Sequence, residues 1–332
     1  MKIALIEASH WHATLYIDAL ASMDVRVVGV SDQNPAVAAR VAARFGCKAS
    51  VDYKDMLTEA RPDFVFAFGR HRDMPAIAAH LIKQKIPFAM EKPMGRSAAE
   101  IEALCAAVEI ENAFIAVPFV FRHSPIQVML DELKSAGEFG ELTNAYFRFI
   151  AGPPSRYPKA DSAWLLDPEE SGGGCTINLA VHFLDFSLRL LEANSVSRVY
   201  AVPSHRKYGI AVEDFSTVVL STNDGVVCTV ETGYAYPQDK AHLRHFECCL
   251  TTTKGYMEIR DGEYAWASHD GSRVEKKIDT DTDNFYPIFI RKTLDDLVAG
   301  NRPSASVGEM FKVMKLIDAA FLSGRERQVV VL

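Results

Sequence analysis

Apolar and polar positions along the first 120 residues follow a repeated order of short apolar runs and amphipathic segments. The apolar runs, typical of strands buried on both faces, lie at 2–6, 25–31, 64–68, 87–90 and 114–119. Segments with helical periodicity separate them, as at 12–22 and at 36–45, where Gly46 follows as a C-cap residue. Strands that alternate with helices predict a parallel sheet with right-handed crossovers.

The pattern changes after about residue 120, where period-two alternation becomes the main feature. Helices are predicted near 124–136, 176–191, 284–299 and 307–322. Strands are predicted at 142–150, 196–203, 215–222, 226–233, 244–252, 256–260, 263–268 and 328–332, with Asn223-Asp224-Gly225 and Asp261-Gly262 as hairpin turns. We therefore predict an α/β Rossmann domain with a doubly wound parallel sheet over 1–121. An α+β domain with a large, mostly antiparallel open sheet is predicted over 122–332.

The length and composition of the chain agree with two globular domains, and its net charge limits the kinds of molecule it is expected to bind. The chain has 332 residues, of which 48% are hydrophobic and 24% charged, and its formal net charge is −7. This negative charge argues against nucleic acid or an anionic membrane as a partner. The sequence shows neither an apolar run long enough to span a membrane nor a signal-peptide pattern. Its six cysteines lack CxxC spacing, so we expect reduced thiols and a cytoplasmic location.

Glu91-Lys92-Pro93 is the first candidate for chemistry, because it follows a predicted strand of the parallel sheet. Ligands of such sheets bind at the carboxyl ends of the strands. A lysine at that end can supply a proton or stabilise a developing alkoxide. The alternative is a solvated turn in which Pro93 ends the strand.

Asn178 and His182, which follow Gly172-Gly173-Gly174, are the second candidate. They are four residues apart, so a helix would place them on one face. A histidine there suits general acid/base catalysis near neutral pH. The alternative is a packed histidine satisfied by one hydrogen bond.

The chain resembles the Gfo/Idh/MocA oxidoreductases over almost its whole length. The resemblance rests on Glu91-Lys92-Pro93, Trp164, the three glycines and His182 taken together. It implies an NAD(P)-dependent enzyme acting on sugars, polyols or cyclitols. By this resemblance Lys92 positions the substrate and relays a proton, and His182 is the acid/base that takes the proton of the reacting hydroxyl. Asn178 stands where the family usually has aspartate, and Arg122 and Trp164 match positions lining the substrate cleft.

The first turn departs from the family pattern. The dinucleotide fingerprint G-x-G-x-x-G/A is replaced by Glu7-Ala8-Ser9-His10-Trp11-His12, which contains no glycine. Three interpretations remain open at this point. A nucleotide binds in a shifted pose against Ser9, His10, Trp11 and His12; another ligand takes its place; or the nucleotide site is lost.

Asp32 favours a nucleotide, because an acidic residue that ends the second strand can bond ribose hydroxyls and repels a 2′-phosphate. We therefore expect NAD rather than NADP as the cofactor. Its alternative role is a helix cap before Pro35. Further cofactor contacts are expected from residues at the other strand ends, namely Gly69, Arg70, His71, Glu91 and Lys92.

No metal site is expected from the sequence. His10 and His12 have no partnering carboxylate or cysteine evident in the sequence. A second set, His242, His245 and Glu247, is rejected because His242 falls in a predicted loop before the strand that holds the other two.

Three functions therefore stay open. The first is an NAD-linked oxidoreductase of a small sugar- or polyol-like substrate. The second is a non-catalytic ligand-binding or regulatory protein, favoured by the glycine-free turn and Asn178. The third is a redox-neutral enzyme with tightly held NAD. A homodimer or homotetramer is expected to form through the sheet of the second domain, because an open sheet face needs cover.

Overall fold

The computed structural model describes residues 1–191, 195–238 and 243–332, and these residues divide into two compact units. The first unit comprises Met1–Phe119, Ser155–Gly172 and Asp283–Lys312. The second comprises Val120–Pro154, Gly173–Thr282 and Val313–Leu332. Two segments of the first unit thus lie beyond the 121/122 boundary that the sequence suggests.

The secondary structure is as follows in chain order. The helices are α1 (Ala13–Ala21), α2 (Pro35–Phe45), α3 (Tyr53–Ala60), α4 (Met74–Lys83), α5 (Ala98–Glu111), α6 (Pro125–Ser135), α7 (Arg156–Lys159), α8 (Pro168–Ser171), α9 (Val181–Leu191), α10 (Tyr286–Ala299) and α11 (Val307–Glu326). The strands are β1 (Lys2–Ile6), β2 (Arg26–Ser31), β3 (Lys48–Ser50), β4 (Phe64–Ala67), β5 (Phe88–Met90), β6 (Ile115–Ala116), β7 (Leu142–Ile150), β8 (Val196–Ser204), β9 (Phe215–Thr222), β10 (Val227–Gly233), β11 (His245–Thr252), β12 (Gly255–Arg260), β13 (Glu263–Ser268), β14 (Arg273–Lys277) and β15 (Val330–Val331).

The first unit contains a parallel six-stranded sheet in the order β3-β2-β1-β4-β5-β6. Ile3 to Ile6 of β1 are fully buried, as expected for a central strand covered on both faces. The order reverses between β1 and β4, which is the point where such sheets bind ligands. The turns that follow β1 and β4 therefore lie at the predicted binding position.

Helix α2 shows how local sequence sets the boundaries beside this position. The Asn34 side chain accepts the amide hydrogen of Ala36, Pro35 starts the helix, and Gly46 ends it with φ of +62°. The helix cap is thus Asn34 rather than Asp32, so the alternative role of Asp32 is wrong. Asp32 follows β2 directly and does not cap the helix.

The second unit contains a nine-stranded sheet in the order β14-β13-β12-β11-β7-β10-β9-β8-β15. β7 and β10 are parallel, and the remaining neighbours are antiparallel. Buried and half-exposed residues alternate along β9 and β11, so one face forms the core. Helix α9 covers that face, where Phe183 stacks on Phe147 at 5.7 Å. The predicted fold class is confirmed.

Several elements differ from the sequence prediction. Strand β3 and helix α3 were not predicted; β3 has only three residues, none of them buried, so it has no apolar periodicity that would identify it. The predicted helix 176–191 is instead a π-helical turn, Thr176–Ala180, followed by α9. Among the helices of the described ranges, none is long and apolar enough to cross a membrane.

Candidate functional site

The glycine-free turn, Glu7–His12, follows β1 at the point where the strand order reverses. Glu7 adopts φ of +58°, a left-handed conformation that costs a non-glycine residue roughly 1–2 kcal/mol. Its amide donates to the carbonyl of Ser31 at 2.8 Å. Burial, and next the nearby charge of Asp32, raise the pKa of Glu7 to about 7. Glu7 thus adopts a backbone conformation that favours glycine.

Most of the amide groups between Glu7 and Ala13 already have acceptors. Ser9 N donates to Asp32 Oδ2 at 2.6 Å, and His10 N donates to the Glu7 carbonyl at 3.3 Å. His12 N donates to Nδ1 of His10 at 3.1 Å, and Ala13 N donates to the His10 carbonyl at 2.9 Å. In the family fingerprint the glycines let this backbone approach a pyrophosphate closely. Here the amides bond within the turn and to Asp32.

Asp32 is buried, and each of its carboxylate oxygens accepts one amide hydrogen. Oδ2 accepts from Ser9 and Oδ1 accepts from Asn34 at 2.8 Å. A carboxylate oxygen has two lone pairs, so each oxygen retains capacity for a further donor such as a ribose hydroxyl.

A cavity of about 170 Å³ lies in front of Asp32. Its lining includes Ser9, His10, Asp32, Gly69 and Arg70, which were predicted as cofactor residues, and Trp164, which was predicted to line the substrate cleft. The other lining residues are Glu7, Gln33, Asn34 and Asp161. Small-molecule sites usually measure about 300–1,000 Å³. This cavity therefore matches part of a ligand, such as a ribose, rather than a whole dinucleotide.

Glu91 and Lys92 are both buried at the end of β5, with 1% and 2% exposure. This burial excludes the alternative of a solvated turn. Glu91 Oε1 accepts the hydroxyl of Tyr16 at 2.7 Å, and Oε2 lies 3.0 Å from His12 Nδ1. Burial lowers the pKa of Lys92 to about 8, so this amine can exchange a proton near neutral pH.

The residues after β4 make their own contacts. Nδ1 of His71 donates to the Ser171 carbonyl at 2.7 Å, and its ring edge meets Trp164 at 4.9 Å. Burial lowers the pKa of His71 to about 3, which keeps the imidazole neutral. Arg70, besides lining the cavity, is ion-paired with Glu170 at 2.9 Å.

The neutral state of His71 predicts a loss of stability in acid. In the unfolded chain His71 has a pKa near 6.5 and binds a proton below that pH, whereas in the folded protein it stays neutral until the pH approaches 3. The free energy of unfolding therefore falls as the pH decreases from about 6.5 towards 3. We expect the destabilisation caused by His71→Gln at pH 7 to shrink by about 2 kcal/mol at pH 4.5. Urea unfolding at both pH values tests this, with exposed His205→Gln as the control. An equal effect of His71→Gln at both pH values would refute it.

In the second unit, Asn178 and His182 are both buried, at the π-helical turn and on α9. The Glu213 carboxylate, which accepts the amides of Gly174 and Thr176 at 2.9 Å each, fixes the start of this segment. Asn178 Nδ2 donates to the Tyr234 hydroxyl at 3.3 Å. π-Helical turns occur frequently at functional sites, and this one contains Asn178 and ends directly before α9.

Arg122, predicted to line the substrate cleft, forms a buried ion pair with Asp185. Its Nε lies 2.9 Å from Oδ2 and its Nη2 lies 2.5 Å from Oδ1, and both side chains are at most 5% exposed. The pair is bidentate, which is the geometry of a strong arginine–carboxylate contact. Arg122 therefore has a structural partner whatever its role toward a substrate.

Several residues near the predicted site were not found from the sequence. Tyr16 of α1 and Tyr286 of α10 both approach the Glu91–His12 contact; the Tyr286 hydroxyl lies 3.1 Å from His12 Nδ1. The Arg156 guanidinium lies 5.3 Å from the centre of the Trp11 ring. These residues belong to no sequence motif that would have identified them, because segments distant in the chain bring them to the site.

Two protein-family models together match most of the chain. Residues 2–119 match an oxidoreductase family described by its NAD-binding Rossmann fold. Residues 128–258 match the GFO/IDH/MocA C-terminal domain. The two matches follow one another along the chain in the order of the two sheets.

Two curated relatives are sugar oxidoreductases. D-apiose dehydrogenase of Paraburkholderia graminis is 25% identical over 309 residues, covering 84% of this chain and 76% of that protein. The dTDP-3,4-didehydro-2,6-dideoxy-alpha-D-glucose 3-reductase of Saccharopolyspora spinosa is 26% identical over 229 residues. That match covers 66% of this chain and 64% of the reductase.

Solved structures share the fold along the entire chain. An oxidoreductase from Agrobacterium radiobacter, solved with NAD⁺, L-tartaric acid and magnesium, has a TM-score of 0.88 at 20% identity, covering 100% of this chain and 98% of its own. Levoglucosan dehydrogenase with NADH and levoglucosan has a TM-score of 0.85 at 18% identity, covering 100% and 99%. With both family models matched in order, the chain belongs to the GFO/IDH/MocA family of NAD-binding oxidoreductases.

Proposed function

We propose that this protein is an oxidoreductase that transfers a hydride between a nicotinamide cofactor and a carbinol carbon of a sugar, polyol or cyclitol. The observation that supports this most strongly is Lys92, a buried amine with a pKa near 8 at the carboxyl end of β5. The relatives named as sugar dehydrogenases and reductases agree with this substrate class.

The proposed chemistry requires removal of a hydroxyl proton when the hydride leaves the same carbon. We assign His182 as the base that accepts this proton and Lys92 as the group that stabilises the developing alkoxide and relays a proton. Asn178 is assigned to bond a substrate hydroxyl. Since asparagine carries no charge, it does not raise the pKa of the histidine as an aspartate would.

We propose NAD as the cofactor, which supplies the hydride acceptor when bound. The buried Asp32 fits a ribose diol, because its carboxylate can take further donors and would repel a 2′-phosphate. The glycine-free turn, in contrast, does not fit a pyrophosphate in its present arrangement, because Ser9, His10 and His12 donate their amides elsewhere. The proposal therefore places the nucleotide by Asp32 and leaves the pyrophosphate contacts unassigned.

The paired amides also support a second candidate, a family member that binds a sugar-like ligand without turning it over. An activity screen separates the two. The protein is incubated with NAD and a panel of aldoses, polyols and cyclitols, and NADH is followed by absorbance. NADH formation with one class supports the oxidoreductase. Sugar binding by calorimetry without NADH or any new product supports the second candidate, and a new product without NADH indicates a redox-neutral reaction.

We also propose that the protein self-associates through the half-exposed face of the second unit's sheet, which the single chain leaves open to solvent.

A further inference from the structure

Three side chains of the types that bind transition metals lie together in the first unit. His10 and His12 belong to the glycine-free turn, and Glu91 follows β5. One possible ligand atom from each lies within 4.8 Å of the other two. We propose that His10, His12 and Glu91 bind one divalent transition-metal ion, and this proposal does not rest on the nicotinamide chemistry proposed above.

The distances suit a shared ion after side-chain movements of about an ångström. Metal–nitrogen and metal–oxygen bonds measure about 2.0–2.2 Å, so two neighbouring ligand atoms on a tetrahedral or octahedral ion lie about 3.0–3.6 Å apart. His12 Nδ1 and Glu91 Oε2 are 3.0 Å apart, which is already in that range. A pair at the upper bound of 4.8 Å would have to approach by about 1.2 Å.

The ligand types select the class of ion. Two imidazoles and one carboxylate are the ligand set of catalytic zinc sites and of mononuclear iron(II) sites. Calcium and magnesium prefer oxygen ligands, so they fit poorly. Three protein ligands leave at least one position of the ion for water or a substrate oxygen.

The three residues lie where solvent competes little for the ion. His10 and Glu91 are buried, with 6% and 1% exposure. An unpaired carboxylate is costly in such a place, and a divalent cation in contact with Glu91 would offset that cost.

A supporting shell is present around the three residues. Tyr16 donates its hydroxyl to Glu91 Oε1 at 2.7 Å, which fixes the carboxylate. Phe68 stacks on the His10 ring at 6.0 Å, and Trp164 lies 5.6 Å from it. Such outer contacts orient metal ligands and control the entry of solvent.

Binding would cost the cluster its present hydrogen bonds. Nδ1 of His10 accepts the amide hydrogen of His12 at 3.1 Å, and ligation through that nitrogen removes this bond. Ligation through His12 Nδ1 also replaces its contacts with the Tyr286 hydroxyl at 3.1 Å and with Glu91 Oε2 at 3.0 Å. These hydrogen bonds are exchanged for three metal–ligand bonds. The competing account is a metal-free network in which His12 donates to Glu91, and the following experiment distinguishes it.

The test uses untagged full-length protein stripped with a chelator and titrated with Co²⁺ and, separately, Zn²⁺. We expect one ion per chain and a visible Co²⁺ absorption band that Zn²⁺ removes. His12→Gln and Glu91→Gln should each weaken binding by at least about 100-fold. Tyr16→Phe should weaken it by about 10-fold, the range typical of outer partners.

His71→Gln is the matched control, because His71 is equally buried in the same unit but outside the cluster, and it should bind Co²⁺ like the natural sequence. Anomalous diffraction from cobalt-soaked crystals of the unsubstituted protein serves if a variant fails to fold. A peak bonded to His10, His12 and Glu91 supports the site. Absence of that peak, or Co²⁺ affinity unchanged in Glu91→Gln, overturns it and leaves the nicotinamide proposal to its own test.

Discussion

Replacing Lys92 with methionine should lower the turnover number by about 10²–10⁴-fold, the usual contribution of a positioned acid or base. Methionine retains much of the side-chain volume, so the buried pocket at the end of β5 stays filled. The amine whose pKa burial lowers to about 8 is then missing, and neither proton relay nor alkoxide stabilisation remains. The measurement is steady-state kinetics with the most active substrate of the sugar panel.

Three comparisons make this result specific. NAD affinity of Lys92→Met should change by no more than a few-fold, since Lys92 is only one of several expected cofactor contacts and its proposed chemical role is toward the substrate. His182→Ala should reduce turnover to a similar extent. Lys48→Met, at an exposed lysine paired with Glu59, should leave turnover unchanged. Near-normal turnover in both Lys92→Met and His182→Ala would show that the assigned roles are wrong.

Replacing Arg122 with methionine should reduce the free energy of unfolding of the second unit by about 3–5 kcal/mol. The substitution leaves the Asp185 carboxylate buried at 4% side-chain exposure without its bidentate cation. Removing the partner of a buried charge lowers the free energy of unfolding far more than removing the partner of an exposed charge. Urea unfolding, followed by far-ultraviolet circular dichroism, measures this effect.

The double variant Arg122→Met with Asp185→Leu is the critical comparison. Removing both charges replaces the ion pair with apolar contacts, so most of the lost stability should return. Arg273→Met, which breaks an exposed pair with Glu275, should cost less than about 1 kcal/mol. If the double variant is as unstable as Arg122→Met, the loss comes from packing rather than from the stranded carboxylate.

Much of the fold could be predicted because apolar periodicity follows burial. The fully buried run of β1 and the alternating pattern of β9 both identified their strands. The three-residue strand β3, which has no buried residue, shows no such pattern and was missed. The segments Ser155–Gly172 and Asp283–Lys312 join the first unit through contacts between residues far apart in sequence, which local patterns do not report.

The sequence identified individual residues of the candidate site but not the hydrogen bonds and contacts between them. The sequence pointed to the missing glycines and to Asp32, yet not to the hydrogen bond that joins Ser9 to Asp32. It presented His10 and His12 without a carboxylate, because Glu91 lies some 80 positions away in the chain and only parallel strand order brings it near. The π-helical turn was predicted as ordinary helix, because its apolar pattern does not report the contact with Glu213, which accepts the amides of Gly174 and Thr176 from a distant segment.

The central claim is that Asp32 holds a nicotinamide dinucleotide although the glycine turn is gone. Isothermal titration calorimetry with NAD and NADP, on the natural sequence and on Asp32→Ala, tests it most directly. We expect NAD to bind at least about 10-fold more tightly than NADP, because Asp32 bonds the ribose diol and repels a 2′-phosphate. Asp32→Ala should lose that preference. Failure of both nucleotides to bind at millimolar concentration would contradict the account.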